Sequence, residues 1–359
     1  MVNTAVIMAG GKGARFWPKS RNHLPKQFLS LTKESKTMIQ LTCHRINPLV
    51  AFEDMYIVTN QDYIGLVKEQ LPEIPAGNIL AEPTPRNTAP CIGFAASVIA
   101  HKYEDALMLV LPADHLIKFE EMYLDTMAQA VEVAKEDNNL VTIGITPTYP
   151  ETGYGYIHFG RSEGEPKHRG VYVVKKFVEK PDVDTAKEYL ASGQYLWNSG
   201  MFVWKLSTIL QQFEEWLPEI HQGVVEIQQA YGTQNYEHVL KRCFMAFKPV
   251  SIDYGIMERA KPIYTIPGNF GWDDVGNWLA LERINKTNES GNTVEGDVIT
   301  IDTQDSIIVG DKKLIAAVGL ENMVIVDTHD AILICDKDST QDVRKVIENL
   351  KICNRNELI

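Results

Sequence analysis

Cysteine is scarce in this sequence of 359 residues, and no two cysteines form a CxxC pair. The five are Cys43, Cys91, Cys243, Cys335 and Cys353. Scattered single cysteines argue against a disulfide framework and against a cysteine-based zinc site. His115 and the other histidines form no HxxxH or Cys/His pattern. The sequence therefore predicts reduced, mostly buried thiols and structural histidines.

Long apolar runs are also missing. No stretch approaches the ~18–20 apolar residues that a membrane-spanning helix needs. The first apolar run, residues 5–9, has no basic segment before it, so a cleaved signal peptide is not expected. These features predict a cytoplasmic protein with no membrane partner.

The sequence also lacks an excess of positive charge, since its formal net charge is −12. Proteins that bind nucleic acid generally carry a basic surface, so a nucleic-acid partner is not expected. A local anion site remains compatible with this charge if lysines and arginines are concentrated in one place. The stretch "AVIMAGGKGARFWPKSRNHLPKQFL", residues 5–29, is such a place.

Short β-rich apolar runs alternate with helical patterns through the first two thirds of the chain. The runs cover residues 5–9, 55–59, 106–111 and 140–145, and the helical patterns cover 87–103 and 122–137. This alternation predicts an α/β domain with a mainly parallel sheet buried on both faces. Ligands of such sheets bind outside the carboxyl ends of the strands. Gly10 and Asp114 each follow a predicted strand end.

From about residue 291 the pattern changes to short strands that recur every ~8–10 residues without intervening helices. Their segments are "DVITID", "SIIVGD", "KLIAAVG", "MVIVDT" and "AILICD", and a helix is predicted over 340–351. This pattern predicts a small all-β unit or a few coils of a β-solenoid. We interpret it mainly as a structural cap.

The glycine stretch fits neither of two common phosphate-binding motifs. The P-loop pattern GxxxxGK[ST] is absent, and Phe16 stands where a dinucleotide fingerprint needs its third glycine. Glycines still let backbone N–H groups approach an anion closely, and Arg15 and Lys26 add positive charge. A plain glycine turn with solvated cations is the alternative.

The same stretch resembles the GGxGxRxxPxxxxxPKQ signature of the sugar-nucleotide pyrophosphorylases, and its "RFWPxSR…PKQFL" form is similar to their mannose-1-phosphate guanylyltransferase branch. The resemblance continues in order over roughly residues 3–285. Its further motifs are "AEPTPRNTAPCI", "LPADH", "ETGYGYI", "FVEKP", "WNSGMFVW", "SIDYGIME" and "GWDDVGNW".

The resemblance implies a Rossmann-like nucleotidyltransferase domain with a mixed, mainly parallel, GT-A-like sheet over residues 1–287. A short C-terminal β-solenoid unit, similar to a left-handed β-helix, would follow over 288–359. Partial solenoids leave strand edges that a partner tends to cover, so we expect a homodimer through this unit. The chain ends too soon for the isomerase domain of some relatives, and phosphomannose isomerase activity is not expected.

The reaction implied is transfer of GMP from GTP to mannose 1-phosphate, which gives GDP-mannose and pyrophosphate. Its transition state gathers negative charge, so cationic groups and Mg²⁺ should dominate the site. By resemblance, Gly10, Gly11, Gly13 and Arg15 hold the triphosphate, and Lys26 approaches the α-phosphate or the incoming phosphate.

Two acidic residues are predicted to hold the Mg²⁺. Asp114 follows a buried strand, and Asp274 is the second acid of "GWDDVG". Mg²⁺ is generally held by one or two carboxylates together with substrate phosphates. The neighbouring Asp273 is interpreted as a solvated or loop-capping carboxylate.

The segment "EPTPRNTAP" predicts a helix N-terminus with Asn87 or Thr88 as its cap. By resemblance, Glu82, Pro83, Arg86, Asn87 and Asp114 also contact the nucleotide. Guanine presents N–H donors on one edge, and Glu82 could accept from them.

The sugar phosphate is assigned to residues in four later motifs. By resemblance they are Gly153, Tyr154, Gly155, Glu179, Lys180, Asn198 and Asp253. A tight hairpin explains the two glycines equally well, and Asp253 is as consistent with a structural role.

Three alternatives stay open. The same chemistry could act on another hexose or heptose 1-phosphate or another base. A non-catalytic nucleotide-sugar sensor would have lost Arg15, Lys26 or the acidic residues, and all of them are present. A nicotinamide-dependent oxidoreductase is disfavoured by Phe16.

Overall fold

The computed structural model describes residues 1–11, 13–32, 34–160 and 168–359. Lys12 of the glycine-rich stretch lies outside the described residues. The described chain forms two compact units. Unit 1 consists of Met1–Gly10, Cys43–Ala113 and Ile117–Trp272, and unit 2 consists of Gly11–Thr42, Asp114–Leu116 and Asp273–Ile359.

The strands are numbered in chain order. The first eleven are β1 (Val2–Ala9), β2 (Met55–Asn60), β3 (Ile79–Glu82), β4 (Ala106–Pro112), β5 (Leu116–Ile117), β6 (Leu140–Ile145), β7 (Tyr156–Gly160), β8 (Tyr172–Val178), β9 (Tyr195–Lys205), β10 (Ile263–Gly268) and β11 (Trp272–Asp273). The remaining six are β12 (Thr293–Glu295), β13 (Val298–Ile301), β14 (Ile307–Val309), β15 (Ile315–Val318), β16 (Met323–Asp327) and β17 (Ile332–Asp336).

The α-helices are numbered in the same way. They are α1 (Met38–Ile46), α2 (Ile64–Gln70), α3 (Thr88–Lys102), α4 (Glu120–Lys135), α5 (Val183–Ser192), α6 (Leu206–Trp216), α7 (Pro218–Ala230), α8 (Tyr236–Ala246), α9 (Ala280–Ile284) and α10 (Val343–Ile352). A π-helical turn, Asp253–Met257, and short 3₁₀ turns, among them Ala14–Phe16 and Lys26–Phe28, complete the described elements that matter for function.

Unit 1 is built around a nine-stranded sheet in the order β3-β2-β1-β4-β9-β6-β10-β8-β7. The first four strands in this order are parallel to one another. Strand β9 is antiparallel to both β4 and β6, and β8 is antiparallel to both β10 and β7. Strand β6 is parallel to β10, and β7 is also antiparallel to β9. The predicted mixed sheet is confirmed, but the prediction that it is mainly parallel is wrong, because five of the nine strand pairings in the described part of this sheet are antiparallel.

The predicted strands and helices of this unit are confirmed with small shifts at their ends. Strand β6 is buried at every residue, as its continuous apolar run predicts. Helix α3 is almost entirely buried, and Asn87 caps it by accepting a hydrogen bond from the Thr88 N–H at 2.8 Å. Both faces of the sheet are therefore covered where the sequence is apolar without alternation.

Unit 2 contains the C-terminal strands together with the glycine-rich stretch. Strands β12, β14 and β16 pair in parallel, β17 is antiparallel to β16, and β13 pairs in parallel with β15. Thr293 pairs with Ile307, and Ile307 pairs with Val324, so each strand of this sheet pairs with a strand that follows after a short stretch of chain. The predicted strand-rich C-terminal region is confirmed, and its terminal helix begins at Val343.

The two compact units do not coincide with a division at residues 287 and 288, because unit 2 also takes in Gly11–Thr42 and Asp114–Leu116. The division of the sequence into domains 1–287 and 288–359 therefore stays a prediction. Among the helices of the described chain, none is long and apolar enough to cross a membrane.

Candidate active site

The strand order of unit 1 reverses beside β1. From β1 the chain proceeds to β2 and β3 on one side, and it returns to β4 on the other side. Gly10 follows the carboxyl end of β1, and Ala113 follows that of β4 and donates its N–H to the Met8 carbonyl at 3.1 Å. The carboxyl ends of strands at such a switch point are where open α/β sheets bind ligands.

Glu82 ends strand β3 and is only 5% exposed. Its Oε1 atom has no hydrogen-bond partner among the described residues, and a Cβ added to Gly10 would lie 3.3 Å from its Oε2. Burial raises the pKa of Glu82 to about 7. A buried carboxyl group with an unsatisfied oxygen is costly unless a donor reaches it, so this group is suited to a ligand's N–H edge.

Arg86 and Asn87 precede helix α3 but differ in what they contact. The Arg86 guanidinium donates to the carbonyls of Phe244 at 2.8 Å and Met245 at 3.1 Å, near the C-terminal end of α8. Asn87 has φ of 71° and caps α3, as predicted. Pro83 lines a cavity of about 630 Å³ that includes Tyr231 and Tyr236, apart from the cavity that Asn87 lines.

A cavity of about 530 Å³ in unit 1 brings together residues from five sequence motifs. Of the predicted residues it is lined by Asn87, Gly155, Glu179, Lys180, Asn198 and Asp253. Its walls carry both charge signs and a carboxamide, which suits a hydroxylated and phosphorylated ligand. The predicted residues Gly153 and Tyr154 are not among its lining residues.

Asn198 and Asp253 form the best-defined contact in this cavity. The Asn198 Nδ2 donates to Asp253 Oδ1 at 2.7 Å, and the Gly200 N–H donates to Asn198 Oδ1 at 3.1 Å. The Asn198 N–H also donates to the Gly155 carbonyl at 2.8 Å. Burial raises the pKa of Asp253, although its bond to Asn198 acts in the opposite direction. The carboxamide is thus held in one orientation.

Tyr254 and Glu258 line the same cavity and were not predicted from the sequence. The Tyr254 hydroxyl donates to Glu179 Oε2 at 2.8 Å. Burial and the nearby Asp253 and Glu179 carboxylates raise the pKa of Glu258. The π-helical turn explains the omission, because the Glu258 N–H donates to the Asp253 carbonyl and so places residues five apart on one face.

Gly153 and Tyr154 have structural partners of their own. The Gly153 N–H donates to Glu151 Oε1 at 2.7 Å. The Tyr154 ring packs edge-on against Trp197 and Trp272, with centroid distances of 5.3 and 5.2 Å. These contacts fit the hairpin interpretation of the motif as well as a binding role.

In unit 2 the glycine-rich loop folds tightly onto the Lys26 segment. Gly13 has φ of 58°, and a Cβ there would lie 2.4 Å from the Cβ of Lys26. The Gly13 carbonyl accepts from the Ser20 hydroxyl at 2.8 Å, and the Gly11 carbonyl accepts from Gln27 Nε2 at 2.9 Å. Only glycine meets both the backbone and the space requirement at position 13.

Lys26 joins the two predicted metal ligands. Its side chain is 6% exposed, and Nζ donates to Asp114 Oδ2 at 2.8 Å and to the Asp274 carbonyl at 2.6 Å. Burial raises the pKa of Asp114, but the Lys26 ammonium, the neighbouring His115 and hydrogen bonds together outweigh burial and lower the pKa. Lys26 thus lies against the carboxylate of Asp114 and the backbone carbonyl of Asp274.

Arg15 and Asp273 lie close to the same segment. The Arg15 Nη1 donates to the Gly276 carbonyl at 3.4 Å, and the Gly276 N–H donates to Asp274 Oδ1 at 3.0 Å. Asp273 is buried, accepts from the Val275 N–H at 2.8 Å and pairs with Arg283. The interpretation of Asp273 as a solvated residue is wrong, because this bidentate ion pair compensates its burial, and its role as a loop cap is confirmed.

No group of three or more His, Cys, Asp and Glu side chains suited to a metal ion occurs in the described ranges of the chain. A metal would have to be held by fewer protein ligands and by ligand phosphates. That donor set is typical of Mg²⁺ in nucleotide-dependent enzymes. The cationic glycine loop and the two aspartates beside Lys26 together define a protein suited to binding phosphate groups.

Comparison with known proteins gives the class directly. The family described as "Nucleotidyl transferase" matches residues 4–291, and the "MannoseP isomerase/GMP-like beta-helix domain" family matches residues 296–350. The class is thus that of the nucleotidyl transferases, with an α/β domain and a C-terminal β-helix-like domain.

Individual relatives narrow this class. A mannose-1-phosphate guanylyltransferase of Salmonella muenchen is 43% identical over 98% of this chain and 74% of its own. One from Escherichia coli (strain K12) is 40% identical over the same shares. A crystal structure described as mannose-1-phosphate geranyltransferase, from Thermus thermophilus, has a TM-score of 0.87 at 34% identity and covers 98% of this chain and 100% of that one. The chain belongs to the mannose-1-phosphate guanylyltransferase family of nucleotidyl transferases.

Proposed function

We propose that this protein transfers GMP from GTP to α-D-mannose 1-phosphate and releases GDP-mannose and pyrophosphate. The observation that carries the proposal is its similarity, over almost its full length, to guanylyltransferases of that name. The bonds in unit 2 from Lys26 to the Asp114 carboxylate and to the Asp274 main-chain carbonyl support it independently, because the reaction needs cationic and acidic groups close together.

The chemistry is a displacement at phosphorus. A phosphate oxygen of mannose 1-phosphate attacks the α-phosphorus of GTP, and the bond from that phosphorus to the oxygen of the leaving pyrophosphate breaks. No side chain forms a covalent bond, so the protein acts by positioning the phosphates and neutralising their charge.

We assign the triphosphate to the glycine-rich loop. Gly10, Gly11 and Gly13 would present backbone N–H groups to phosphate oxygens, and Arg15 would add a guanidinium. Lys26 would donate to the α-phosphate or to the incoming phosphate. Its buried position, with two oxygen acceptors within 2.8 Å, supports this role because the ammonium is held in place before substrate binds.

Asp114 and Asp274 would hold a divalent cation, which we propose to be Mg²⁺. The fit rests on two aspartates beside the Lys26 ammonium, which donates to the Asp114 carboxylate and to the Asp274 main-chain carbonyl, and phosphates would complete the ligand set. When bound, the cation would supply positive charge to the phosphate oxygens.

The base and the sugar are assigned to unit 1. The unsatisfied Oε1 of Glu82 supports a role in accepting from the guanine N–H edge, with Pro83, Arg86 and Asn87 along the same segment. The cavity lined by Gly155, Glu179, Lys180, Asn198 and Asp253 supports a sugar-phosphate site. Gly153 and Tyr154 would support its wall.

Three further proposals concern the C-terminal domain, the oligomeric state and the cellular location. The parallel pairs of the C-terminal strands support a short β-solenoid, for which the sequence resemblance implies the left-handed type. The residue ranges of the two matched families support a domain division near residues 287 and 288. The exposed side chains of Ile299, Ile301 and Val318 on β13 and β15 support a homodimer with that face covered by a second copy. A cytoplasmic location stays a prediction from the sequence.

Pyrophosphate release across a matrix of substrates tests the proposal. GTP, ATP, UTP and dTTP would each be combined with mannose, glucose and other hexose 1-phosphates, with and without EDTA. We expect the highest rate for GTP with mannose 1-phosphate and loss of activity in EDTA. A maximum at another pair would mean that the enzyme catalyses the same reaction with different substrates. No release of pyrophosphate for any pair would contradict the proposal.

A further inference from the structure

Two residues of the glycine-rich stretch are bonded to the other end of unit 2. Trp17 contacts Leu358, and Arg21 contacts Asp330, at sequence separations of 341 and 309 residues. We infer that Asp330 and the C-terminal segment of unit 2 position the phosphate-binding loop through Trp17 and Arg21. The inference rests on the proposed function, since it concerns how the loop is held for GTP.

Trp17 is fixed from both its side chain and its backbone. Its indole Nε1 donates to the Leu358 carbonyl at 2.7 Å, and its own carbonyl accepts from Trp278 Nε1 at 3.1 Å. Only 6% of the residue is exposed. A buried indole N–H needs an acceptor, and here the acceptor comes from the C-terminal segment.

Arg21 forms the second contact, with Asp330 between strands β16 and β17. Its side chain is 6% exposed, and Nη2 donates to Asp330 Oδ1 at 2.7 Å. Nη1 donates to the Pro18 carbonyl, so the same guanidinium also fixes the backbone of the loop. Asp330 in turn accepts from the Thr328 hydroxyl at 3.0 Å. A charge-assisted bond of a buried guanidinium is among the stronger single contacts a protein makes.

Apolar side chains of the glycine-rich stretch also pack against the C-terminal strands β14, β16 and β17. Phe16, Trp17 and Leu29 belong to one buried cluster with residues of the C-terminal strands. Those strand residues are Ile307, Val309, Val324, Val326 and Leu333. The aromatic residues after the glycines therefore complete the core of a β-unit that lies more than 250 residues later in the chain.

Trp17 and Arg21 lie between the two cations assigned to the phosphates, Arg15 and Lys26. A tether in the middle of this segment limits the positions that both ends can adopt. Holding the loop in its binding conformation lowers the cost of ordering it around a ligand. Lys26 is also held by Asp114 and by the Asp274 carbonyl, whereas Arg15, assigned to the triphosphate, is two residues from Trp17. The contacts should thus act on GTP more than on the sugar phosphate.

The alternative is that these contacts only stabilise the fold, as a structural cap would. The two interpretations differ in what a weakened contact does. A cap that is weakened lowers the unfolding temperature and leaves the folded fraction with unchanged kinetics. A positioning contact changes the Michaelis constant for GTP selectively in protein that remains folded.

Asp330→Asn is the primary test, because it keeps the side-chain shape and removes the charge that binds Arg21. We expect kcat/KM for GTP to fall about tenfold while KM for mannose 1-phosphate changes less than about twofold. Asp327→Asn is the matched control, since it removes the ion pair with Lys313 in the same β-unit. It should leave both Michaelis constants unchanged even if the unfolding temperature falls.

Trp17→Phe provides a second variant that keeps an aromatic ring and deletes the N–H that reaches Leu358. It should show the same selectivity for GTP as Asp330→Asn. Arg21→Lys, which keeps one charge-assisted bond, should lie between wild type and Asp330→Asn. If the folded Asp330→Asn and Trp17→Phe proteins both keep the wild-type KM and kcat for GTP, the inference is wrong.

Hydrogen exchange gives a readout that does not depend on turnover. If the loop and the C-terminal strands are coupled, GTP binding should slow exchange in residues 323–336 of the wild type, because coupling between two sites is reciprocal. The effect should be lost in Asp330→Asn and retained in Asp327→Asn. A wild type that binds GTP without slower exchange there would contradict the inference, whereas a wild type that binds no GTP would contradict the proposed function.

Discussion

Because Glu82 is buried, the free energy of unfolding should depend on pH. Its folded-state pKa of about 7 lies above that of an exposed glutamate. The folded state therefore binds more protons than the unfolded state between about pH 4.5 and 7. The free energy of unfolding should fall as pH rises through this window, by roughly 3 kcal/mol in all.

Glu82→Gln removes this titration. We expect urea unfolding of the variant to lack most of the loss of stability that the wild type shows between pH 5 and pH 8. Glu69→Gln, on the exposed side of helix α2, is the control and should retain the wild-type slope. Equal slopes for wild type and Glu82→Gln would mean that the carboxyl group is better solvated than its 5% exposure indicates.

Substitutions of the adjacent residues Asp274 and Asp273 should have different effects, the first on turnover and the second on the free energy of unfolding. Asp274→Asn keeps an oxygen that can accept from the Gly276 N–H, so the fold should persist. Loss of the carboxylate charge should lower kcat by about 100-fold or more, because it removes a proposed metal ligand. Steady-state rates over a Mg²⁺ titration, with unfolding temperatures, would measure both effects.

Asp273→Asn serves as the neighbour control for that variant. It weakens the buried pair with Arg283 and should lower the free energy of unfolding by about 1.5–3 kcal/mol. Its Mg²⁺ dependence should match the wild type. Near-normal turnover of Asp274→Asn at saturating Mg²⁺ would contradict the metal assignment.

At the scale of elements, the glycine-rich loop depends on Gly13. Gly13→Ala would place a Cβ 2.4 Å from Lys26 Cβ and 2.8 Å from the Lys26 backbone nitrogen, so the 3₁₀ turn Lys26–Phe28 must move. We expect kcat/KM to fall more than about tenfold, since Lys26 would be displaced from Asp114. Initial rates and a crystal structure of the variant would check this.

Gly193→Ala is the matched control for that substitution. Gly193 also has positive φ, 63°, but an added Cβ meets no atom within 4 Å in the part of the chain that the structure describes. Gly193→Ala should therefore introduce the same backbone strain as Gly13→Ala, roughly 1–2 kcal/mol, without the steric clash that the added Cβ makes with Lys26. Comparable loss of activity in both variants would mean that global destabilisation, not Lys26 displacement, explains the Gly13→Ala effect.

The apolar runs of the sequence predicted several elements well, because burial on both faces leaves a continuous pattern. Strand β6 was predicted at residues 140–145, which are its observed bounds. Strand β9 was not predicted. Asn198, Ser199 and Gly200 interrupt its apolar pattern, and its pairing with β6 shifts register between Thr142 and Gly144. Its position between β4 and β6 depends on pairing between distant segments, which local patterns do not encode.

The sequence motifs predicted only part of the candidate site, because some of its contacts also depend on non-local structure. Motif order identified Glu179, Asn198 and Asp253, which the fold brings to one cavity. Helical periodicity of 3.6 residues did not identify Glu258, because a π-helical turn sets its relation to Asp253. The role of Asp330 also lay outside the motifs, since its partner Arg21 is 309 residues earlier.

At the scale of the whole molecule, an exposed apolar face of unit 2 bears on assembly. Ile299, Ile301 and Val318 are 50%, 53% and 59% exposed, and the register of β13 and β15 places Ile301 beside Val318. β-branched side chains on such an exposed face are better covered than solvated, and a strand edge favours a second strand-bearing surface. A second copy of the chain would provide one.

Ile301→Asp tests this assembly, because a buried unpaired charge at the centre of that face should prevent association. We expect sedimentation velocity at micromolar concentration to show a dimer for the wild type and the 40.5 kDa monomer for the variant. Ile352→Asp, at a 77% exposed position that ends helix α10, is the control and should remain a dimer. A monomeric wild type would contradict the proposed homodimer, and a dimeric Ile301→Asp would place the interface on another face.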